Sequence, residues 1–327
     1  MTIVKPEIYD RFRCLAGLCP DSCCHEWEVD IDEETAKKYL ALPSELGDRL
    51  RQVVVCEDGA YRMRIEDSRC PMWRQDGLCR IQAELGHDAL CRTCRDFPRL
   101  QHDYEDFVEL GLEMSCPEAA RLLFTDYRFI EAPAETTDPD LALLLSSRKE
   151  ALDFLESRQM PINEALSVLL LYAYQVQAAL DGGDVPNLSP VQCLRSAQKY
   201  ALPGNISGFY DFFLSLEILT PRWEILLQSR PDAHSCDERL FYLAKYLISR
   251  HWLQAISDFD LASRVKFIII SCLLINALGG DIVQTSQLFS KEIENDQDNL
   301  DAILDNVYTQ RAFTDGNLLG LLLNRQA

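Results

Sequence analysis

The sequence lacks the glycine pattern with which many nucleotide-binding proteins hold phosphate groups. It contains 14 glycines in 327 residues, yet no two are separated by a single residue. The Gly-x-Gly turn of doubly wound dinucleotide folds is therefore absent, as are a phosphate-binding loop and the His-Glu-x-x-His pattern of zinc enzymes. These absences exclude the common nucleotide and zinc-hydrolase motifs. A nucleotide-like cofactor would have to bind outside a glycine-rich turn.

Positive charge is scarce. The chain has 32 lysines and arginines against 52 aspartates and glutamates, which gives a formal net charge of -20. A phosphate backbone attracts proteins of the opposite charge, so this balance argues against a nucleic-acid partner. An acidic surface favours solubility and partners that carry lysine or arginine. Solubility alone explains the acidity at least as well.

Long apolar segments are also missing. The two longest, around residues 167–180 and 265–278, are too short and too interrupted to span a membrane. The first seven residues contain no apolar segment of secretory length. We therefore expect a cytoplasmic protein without a membrane partner. In the cytoplasm thiols stay reduced, and a dense cysteine pattern there is more often metal-binding than disulfide-bonded.

Cysteine, in contrast, is concentrated near the start of the chain. Ten of the 13 cysteines fall between Cys14 and Cys116. Thiolates brought together from short loops bind zinc and iron–sulfur clusters. The spacing allows either one four-sulfur site with spare thiols or two four-sulfur sites, and it does not separate zinc from a [4Fe–4S] cluster. The predicted ligands are Cys14, Cys19, Cys23, Cys24, Cys70, Cys79, Cys94 and Cys116.

The composition of the chain changes near residue 130, from cysteine-rich, turn-rich segments to nearly continuous helical periodicity. Residues 131–139 are polar and contain two prolines, which is typical of a linker or a long surface loop. We expect a mainly α fold, with a cysteine-rich, metal-bound N-terminal domain over residues 1–130 and an all-helical domain over 131–327. Apolar residues at intervals of three and four, with an N-cap at Ser189, predict the helices of the second domain. Besides one that begins after Ser189, these cover residues 141–157, 163–180, 209–219, 237–252, 261–278, 282–294 and 300–307.

Several polar and aromatic residues are candidates for roles near the metal. His25 directly follows Cys24 and is a possible ligand, whereas His87 and His102 have polar neighbours and are predicted to lie at the surface. Trp27 and Trp73 each follow a cysteine by three residues. We expect them to shield the metal from water, with a cation–π platform as the alternative. The later cysteines share no spacing and are predicted to be small buried residues: Cys193, Cys236 and Cys272.

The cysteine pattern resembles the opening of the flagellin lysine N-methylases, and also the cysteine cluster of a related family of zinc- or iron-chelating proteins. Near the C-terminus, LFSKEIE at residues 288–294 is similar to the family's last helix. The N-terminal resemblance is carried by FRCLAGLCPDSCCHEW at residues 12–27, CPMW at 70–73, DGLCRIQ at 76–82, TCRDFPR at 93–99 and SCPEA at 115–119.

The resemblance implies the transfer of methyl groups from S-adenosylmethionine to lysine ε-amines on the surface of flagellin. It also implies a cysteine-held metal centre, which the family suggests is an iron–sulfur cluster held by the eight cysteines named above. The three-cysteine signature of radical enzymes is not present, because Cys24 follows Cys23 too early. Candidate bases for the lysine are Tyr9, His25 and the acidic residues 30–34, although that acidic run is also typical of a helix start.

Two other functions are compatible with the sequence. The first is a non-enzymatic module in which a zinc-stapled N-terminal domain and a helical body hold another protein during assembly. The second is a redox protein, because the two residues between Cys91 and Cys94 give a dithiol spacing. Binding of a methyl donor separates the methyltransferase from both.

Overall fold

The computed structural model of the chain describes residues 2–25, 29–128, 136–231 and 237–323. These residues form six short strands and fifteen α-helices, so the predicted mainly helical fold is confirmed. The predictions made for Trp27, for Cys236 and for residues 131–135 of the linker lie outside the described residues.

The strands form two sheets of three strands each. In one sheet β1 is parallel to β6, and β5 is antiparallel to β6. In the other, β4 lies between β2 and β3 and is antiparallel to both. The strands are β1 (Thr2–Val4), β2 (Val29–Ile31), β3 (Val54–Glu57), β4 (Ala60–Met63), β5 (Arg99–Asp103) and β6 (Phe107–Leu112).

Five helices precede residue 130 and ten follow residue 138 among the described residues. A π-helix, Ser290–Glu294, continues directly from the thirteenth. The helices are α1 (Glu33–Ala41), α2 (Glu45–Val53), α3 (Arg80–Leu85), α4 (Arg92–Asp96), α5 (Pro117–Leu123), α6 (Pro139–Glu156), α7 (Ile162–Leu180), α8 (Pro190–Tyr200), α9 (Ser207–Phe213), α10 (Pro221–Ser229), α11 (Leu240–His251), α12 (Leu261–Leu278), α13 (Ile282–Phe289), α14 (Gln297–Asn306) and α15 (Asp315–Leu322).

Most of the predicted helices are present, with corrected ends. The helix predicted over 209–219 ends at Phe213, and a separate helix, α10, begins after Thr220, which Pro221 holds in an extended conformation. The helix predicted over 282–294 changes to a π-helix at Ser290. Ser189 is the N-cap residue of α8 and Pro190 follows it in the first turn, as predicted, although the Ser189 side chain makes no capping hydrogen bond. Helices α10 and α15 are not predicted from the sequence.

The segment around 265–278 lies in α12, and contrary to the expectation from the sequence this helix is long and apolar enough to cross a membrane; 89% of it is buried inside the protein. Its buried residues include Phe267, Ile269 and Ile270, which are fully inaccessible. It packs against α7 and α11. Its apolar character is that of a helix surrounded by other helices.

Buried side chains form two hydrophobic cores. The larger core runs through α5–α15 and includes Val4 of β1 and Phe107 of β6, so that sheet packs with the helices. The smaller core lies within residues 29–94, and the thiols of Cys70 and Cys91 are part of it. We call residues 29–96 the cysteine unit and residues 13–25 the cysteine loop. The remaining described residues are the helical body. The domain boundary near residue 130 stays a prediction.

One carboxylate holds two helices of the cysteine unit together. Asp32 is the N-cap of α1 and accepts a hydrogen bond from the Thr35 amide at 3.0 Å. Its other oxygen accepts the Arg92 amide at the start of α4, also at 3.0 Å. The bond from Arg92 is the main reason that the pKa of Asp32 falls to about 2. Asp32 thereby fixes the helix that carries Cys94.

Replacement of Asp32 by alanine removes both hydrogen bonds, and we expect it to lower the free energy of unfolding by about 1–2 kcal/mol. Because folding lowers the pKa of Asp32, its contribution is present above the unfolded pKa of about 3.9 and is lost as the pH falls towards 2. Urea unfolding of Asp32→Ala at pH 6 and pH 3 measures this. The control is Asp30→Ala, which removes a carboxylate that is 78% exposed. Equal stability of the two variants at pH 6 would contradict the assignment.

Candidate functional site

Two glycines bring the cysteine loop against the cysteine unit. A Cβ atom at Gly17 would lie 2.8 Å from the carbonyl oxygen of Asp76, closer than real contacts allow. Gly77 adopts a φ of +78° and would place its own Cβ 3.3 Å from the Gly17 Cα. This approach of two backbones sets the segment that contains Cys19 beside the segment that leads to Cys79.

Backbone hydrogen bonds align three of the predicted ligands. The Cys70 amide donates to the Cys24 carbonyl at 2.7 Å. The Arg80 amide donates to the Met72 carbonyl, also at 2.7 Å, and Trp73 pairs with Cys79 in an isolated bridge. Cys24, Cys70 and Cys79 therefore come from separate segments that are fastened to one another by their main chains.

Three cysteines directly precede helices. Cys79 precedes α3, Cys91 precedes α4 and Cys116 precedes α5. The free amide groups and the dipole at a helix N-terminus stabilise a thiolate. Burial raises the pKa of Cys79, while the amides of the first turn of α3 act in the opposite direction. Metal ligation requires the thiolate form, which the helix amides favour, although burial outweighs them at Cys79 and Cys116.

One group of thiols lies against the core of the cysteine unit. A hydrogen bond from Cys24 lowers the pKa of Cys70. The hydrogen bond between Cys23 and Cys24 acts to lower the pKa of Cys24, but the bond to Cys70 and burial raise it to about 12. The charge of Cys79 also acts on both Cys24 and Cys70.

Cys91 joins the same group. A hydrogen bond from Cys94 lowers the pKa of Cys91 to about 7, and the same bond and burial raise the pKa of Cys94. The charges of Cys23 and Cys24 also raise the pKa of Cys94. Cys91 is not among the eight predicted ligands, although the two-residue spacing to Cys94 was a signal that could have included it.

A second group lies between the cysteine loop and the helical body. Burial raises the pKa of Cys116 to about 12, with further increases from the charges of Cys19 and Cys23. Burial likewise raises the pKa of Cys19, which also feels the charge of Cys14. The two groups meet at Cys23. Cys56 is exposed on β3.

The donor chemistry of both groups suits a thiolate-bound metal. No disulfide joins the cysteines in the described ranges. As the side chains stand there, no three His, Cys, Asp or Glu groups are close enough to hold an ion. All eight predicted ligands nevertheless interact with at least one other thiol, and an all-sulfur set suits zinc or an iron–sulfur cluster. The metal centre stays a prediction that these residues fit.

The other predicted residues occupy the edges of this region. The His25 ring packs edge-on against Trp73 at 5.2 Å, and the Arg69 guanidinium lies 4.5 Å from the Trp73 ring centroid. Trp73 therefore already carries a cation from its own chain. Residues 32–34 begin α1, which confirms the helix-start interpretation. Burial raises the pKa of Tyr9, so its hydroxyl is less suited to act as a base.

His102 does not lie at the surface as its polar neighbours suggest, but is half-buried. It is the fourth of the five residues of β5, where the side chains of Gln101 and Asp103 point to the opposite, exposed face. His102 pairs across the strands with Glu109 of β6. Glu109 is buried and receives two hydrogen bonds from Arg148 of α6, at 2.9 and 2.6 Å.

A second buried carboxylate, Glu294, is the last residue of the π-helix. It accepts hydrogen bonds from the Tyr246 hydroxyl at 3.1 Å and from His251 Nε2 at 2.8 Å, and Arg250 Nε lies 3.3 Å away. Burial opposes its ionisation, but Arg250 and His251 outweigh that effect and lower its pKa to about 2. Burial lowers the pKa of His251 below 6.5, so the neutral ring donates its Nε2–H. We call Glu109, Arg148, Tyr246, Arg250, His251 and Glu294 the buried polar cluster.

The cysteine loop and the π-helix are directly connected. Asp21, between Cys19 and Cys23, lies 3.2 Å from the ammonium of Lys291, which is 1% exposed. Gln287 donates to the same carboxylate at 3.0 Å. π-Helices are rare and occur often at functional sites. The π-helix therefore contacts the cysteine loop through Asp21 and contributes Glu294 to the buried polar cluster.

Comparison with known proteins gives one group of relatives. The chain is 32% identical over 133 residues to the flagellar biosynthetic protein FliU of Salmonella muenchen, which covers 79% of that protein and 38% of this chain. The chain belongs to the FliU and lysine-N-methylase family. The same identity and length relate it to the lysine-N-methylases of Salmonella typhimurium and Salmonella choleraesuis.

The match spans a third of the length of each of these two methylases. No protein-family profile matches the chain. No solved structure matches it either. The identity to FliU therefore confirms the resemblance to the FliU and lysine-N-methylase family.

The contact between Asp21 and Lys291 predicts an asymmetry in stability within this family member. Asp21→Ala takes the carboxylate away from a buried ammonium, and we expect it to lower the free energy of unfolding by about 2 kcal/mol. Lys291→Met keeps the apolar stem and leaves behind an Asp21 side chain that is 29% exposed and can be hydrated, so its cost should be smaller.

Urea unfolding of the two single variants and of the double variant measures the coupling between the charges. The control is Asp153→Ala, which breaks an exposed pair with Lys149 on α6 and should change stability by less than about 0.5 kcal/mol. If Asp21→Ala costs no more than this control, Asp21 does not hold the π-helix.

Proposed function

We propose that this chain is an S-adenosylmethionine-dependent protein-lysine N-methyltransferase that acts on flagellin in the cytoplasm. The observation that carries the proposal is the relation to FliU over 79% of that protein, together with relatives named lysine-N-methylase. The flagellar name supports a flagellar substrate, and the net charge of -20 favours an encounter with a lysine-bearing protein.

We further propose that activity depends on metal bound by the two groups of cysteines described above. One site would draw on Cys24, Cys70, Cys79 and Cys94, with Cys91 beside them. The other would draw on Cys14, Cys19, Cys23 and Cys116. A [4Fe–4S] cluster and zinc both suit these ligands, and either supplies fixed bonds between segments that are distant in sequence.

Methyl transfer requires a lysine amine without its extra proton. The unperturbed pKa of lysine is about 10.4, so almost every exposed lysine is protonated at neutral pH and has no lone pair for attack. Removal from water favours the neutral amine. When bound, S-adenosylmethionine supplies an electrophilic methyl group on a sulfonium. The buried polar cluster offers fixed hydrogen-bonding groups in a site from which water is largely excluded, which favours this chemistry.

The direct test uses the full chain, purified without oxygen, with S-adenosylmethionine carrying an isotopic methyl label and unmethylated flagellin. We expect label on flagellin lysines, located by peptide mass spectrometry. Flagellin with chemically acetylated lysines is the matched control and should take up no label.

Two results would contradict the proposal. The absence of transfer from a metal-loaded preparation would exclude the enzyme activity. If the same preparation still bound flagellin, the non-enzymatic binding module would replace it. Label on other side chains would show that the reaction class is right and the lysine assignment wrong.

A further inference from the structure

A small cavity lies where the sheet of β1, β6 and β5 meets α11. Its volume is about 30 Å³, enough for one polar head group of the size of a water molecule. The half-buried residues Leu100, Leu110 and Gly111 form its open side, and Tyr246 and Ser249 lie among its buried residues. We call it the His102 cavity.

The absence of a side chain at Gly111 leaves this space open. Gly111 pairs with Leu100 across the strands, two residues along from the pair formed by Glu109 and His102. The pleat of the sheet therefore places all four positions on one face. A Cβ atom at Gly111 would meet only the Leu100 side chain, at 3.7 Å and beyond, which is an ordinary contact.

His102 is the polar group in the cavity that has hydrogen-bonding capacity to spare. Its Nε2 is inaccessible to solvent and has no hydrogen-bond partner among the described residues. Glu109, which faces it, is already bound twice by Arg148. A buried nitrogen without a partner is costly, and a ligand that offers an N–H group would remove that cost.

The surrounding charges favour a neutral ligand. Burial lowers the pKa of His102 below 6.5, with further lowering by Arg250, His251 and Arg148 and an opposing effect of Glu109. The ring is therefore neutral at pH 7 and above. Arg148 already pairs with Glu109, and Arg250 pairs with Glu294. A cation behind the leucine side chains would lose its hydration without displacing these arginines, whereas a neutral amine has much less hydration to lose.

We propose that the His102 cavity binds the neutral primary amine of a lysine side chain, which donates an N–H to His102 Nε2. The aliphatic stem passes over Gly111, beside the Leu100 side chain, to the surface. The nitrogen keeps its lone pair, because its proton has gone to solvent before binding. This inference rests on the proposed function and assigns a place to its acceptor.

The test is binding of n-butylamine, a lysine side-chain analogue, to the full chain without methyl donor, measured by equilibrium dialysis between pH 7 and pH 9. The neutral fraction of such an amine rises about tenfold per pH unit below its pKa. We expect its affinity to rise in the same proportion, because His102 and His251 are already neutral and the arginines stay charged. Butyltrimethylammonium, which is permanently charged, should not bind.

Two variants locate the site. His102→Phe keeps a ring and removes the acceptor, and it should weaken binding at pH 9 about tenfold or more. Gly111→Val suits a strand and fills the cavity, so it should abolish binding without loss of stability. The control is His87→Phe, at an exposed histidine, which should bind as the unmodified chain does. If His102→Phe does not fold, the loss of amine binding in Gly111→Val is the deciding result.

The inference is overturned by affinity that does not change with pH, by equal binding of the quaternary ammonium, by unchanged binding in Gly111→Val, or by no binding at pH 9. These outcomes are independent of methyl transfer. Transfer to flagellin without amine binding would overturn the proposed role of the His102 cavity and leave the proposed function intact. Amine binding without transfer would support the proposed role of the cavity and contradict the proposed function.

Discussion

The main constraint on the cysteine unit is the small size of its hydrophobic core. Fourteen buried side chains form that core, and two of them are themselves cysteines. Among the described residues, the segment between β4 and α3 contains no regular helix or strand. Units of this size usually need a disulfide, a metal or a partner to be stable. The thiols of the cysteine unit are positioned where a disulfide or a bound metal could provide such stabilisation.

The helical body is tied to the same thiols. Cys116 begins α5, which is part of the larger core, and its pKa responds to Cys19 and Cys23 of the cysteine loop. The Asp21 carboxylate reaches the π-helix from that loop. The last π-helix residue, Glu294, binds the arginine, histidine and tyrosine that α11 contributes to the buried polar cluster. The cysteine loop and the buried polar cluster therefore contact the same π-helix.

The sequence predicted the parts of the fold that depend on local pattern. The intervals of three and four residues gave α7 and α12 nearly to the residue, and the acidic run gave the start of α1. The buried polar cluster was not predicted, because Glu109, Arg148 and Glu294 are far apart in sequence and resemble surface charges. The prediction that His102 lies at the surface was wrong for a related reason. Polar neighbours indicate exposure in a loop, but in a strand they face away from the residue between them.

The resemblance identified the family, and the spacing identified cysteines that interact in the structure. Spacing could not show that Cys91 joins them, because hydrogen bonding between thiols is set by how α4 is held against α1. It also could not divide the ligands into two groups. That division follows from the backbone pairing of Cys24 with Cys70 and from the position of Cys116 near Cys19 and Cys23.

The most direct test of the account is the metal and acid-labile sulfide content of the chain purified without oxygen, compared with Cys94→Ser and Cys56→Ser. We expect bound iron and sulfide, or bound zinc, in the unmodified chain and in Cys56→Ser, whose altered residue is exposed on β3. Cys94→Ser should lose metal. Full metal content in Cys94→Ser, or no metal in any of the three, would contradict the claim that these thiols form a metal centre.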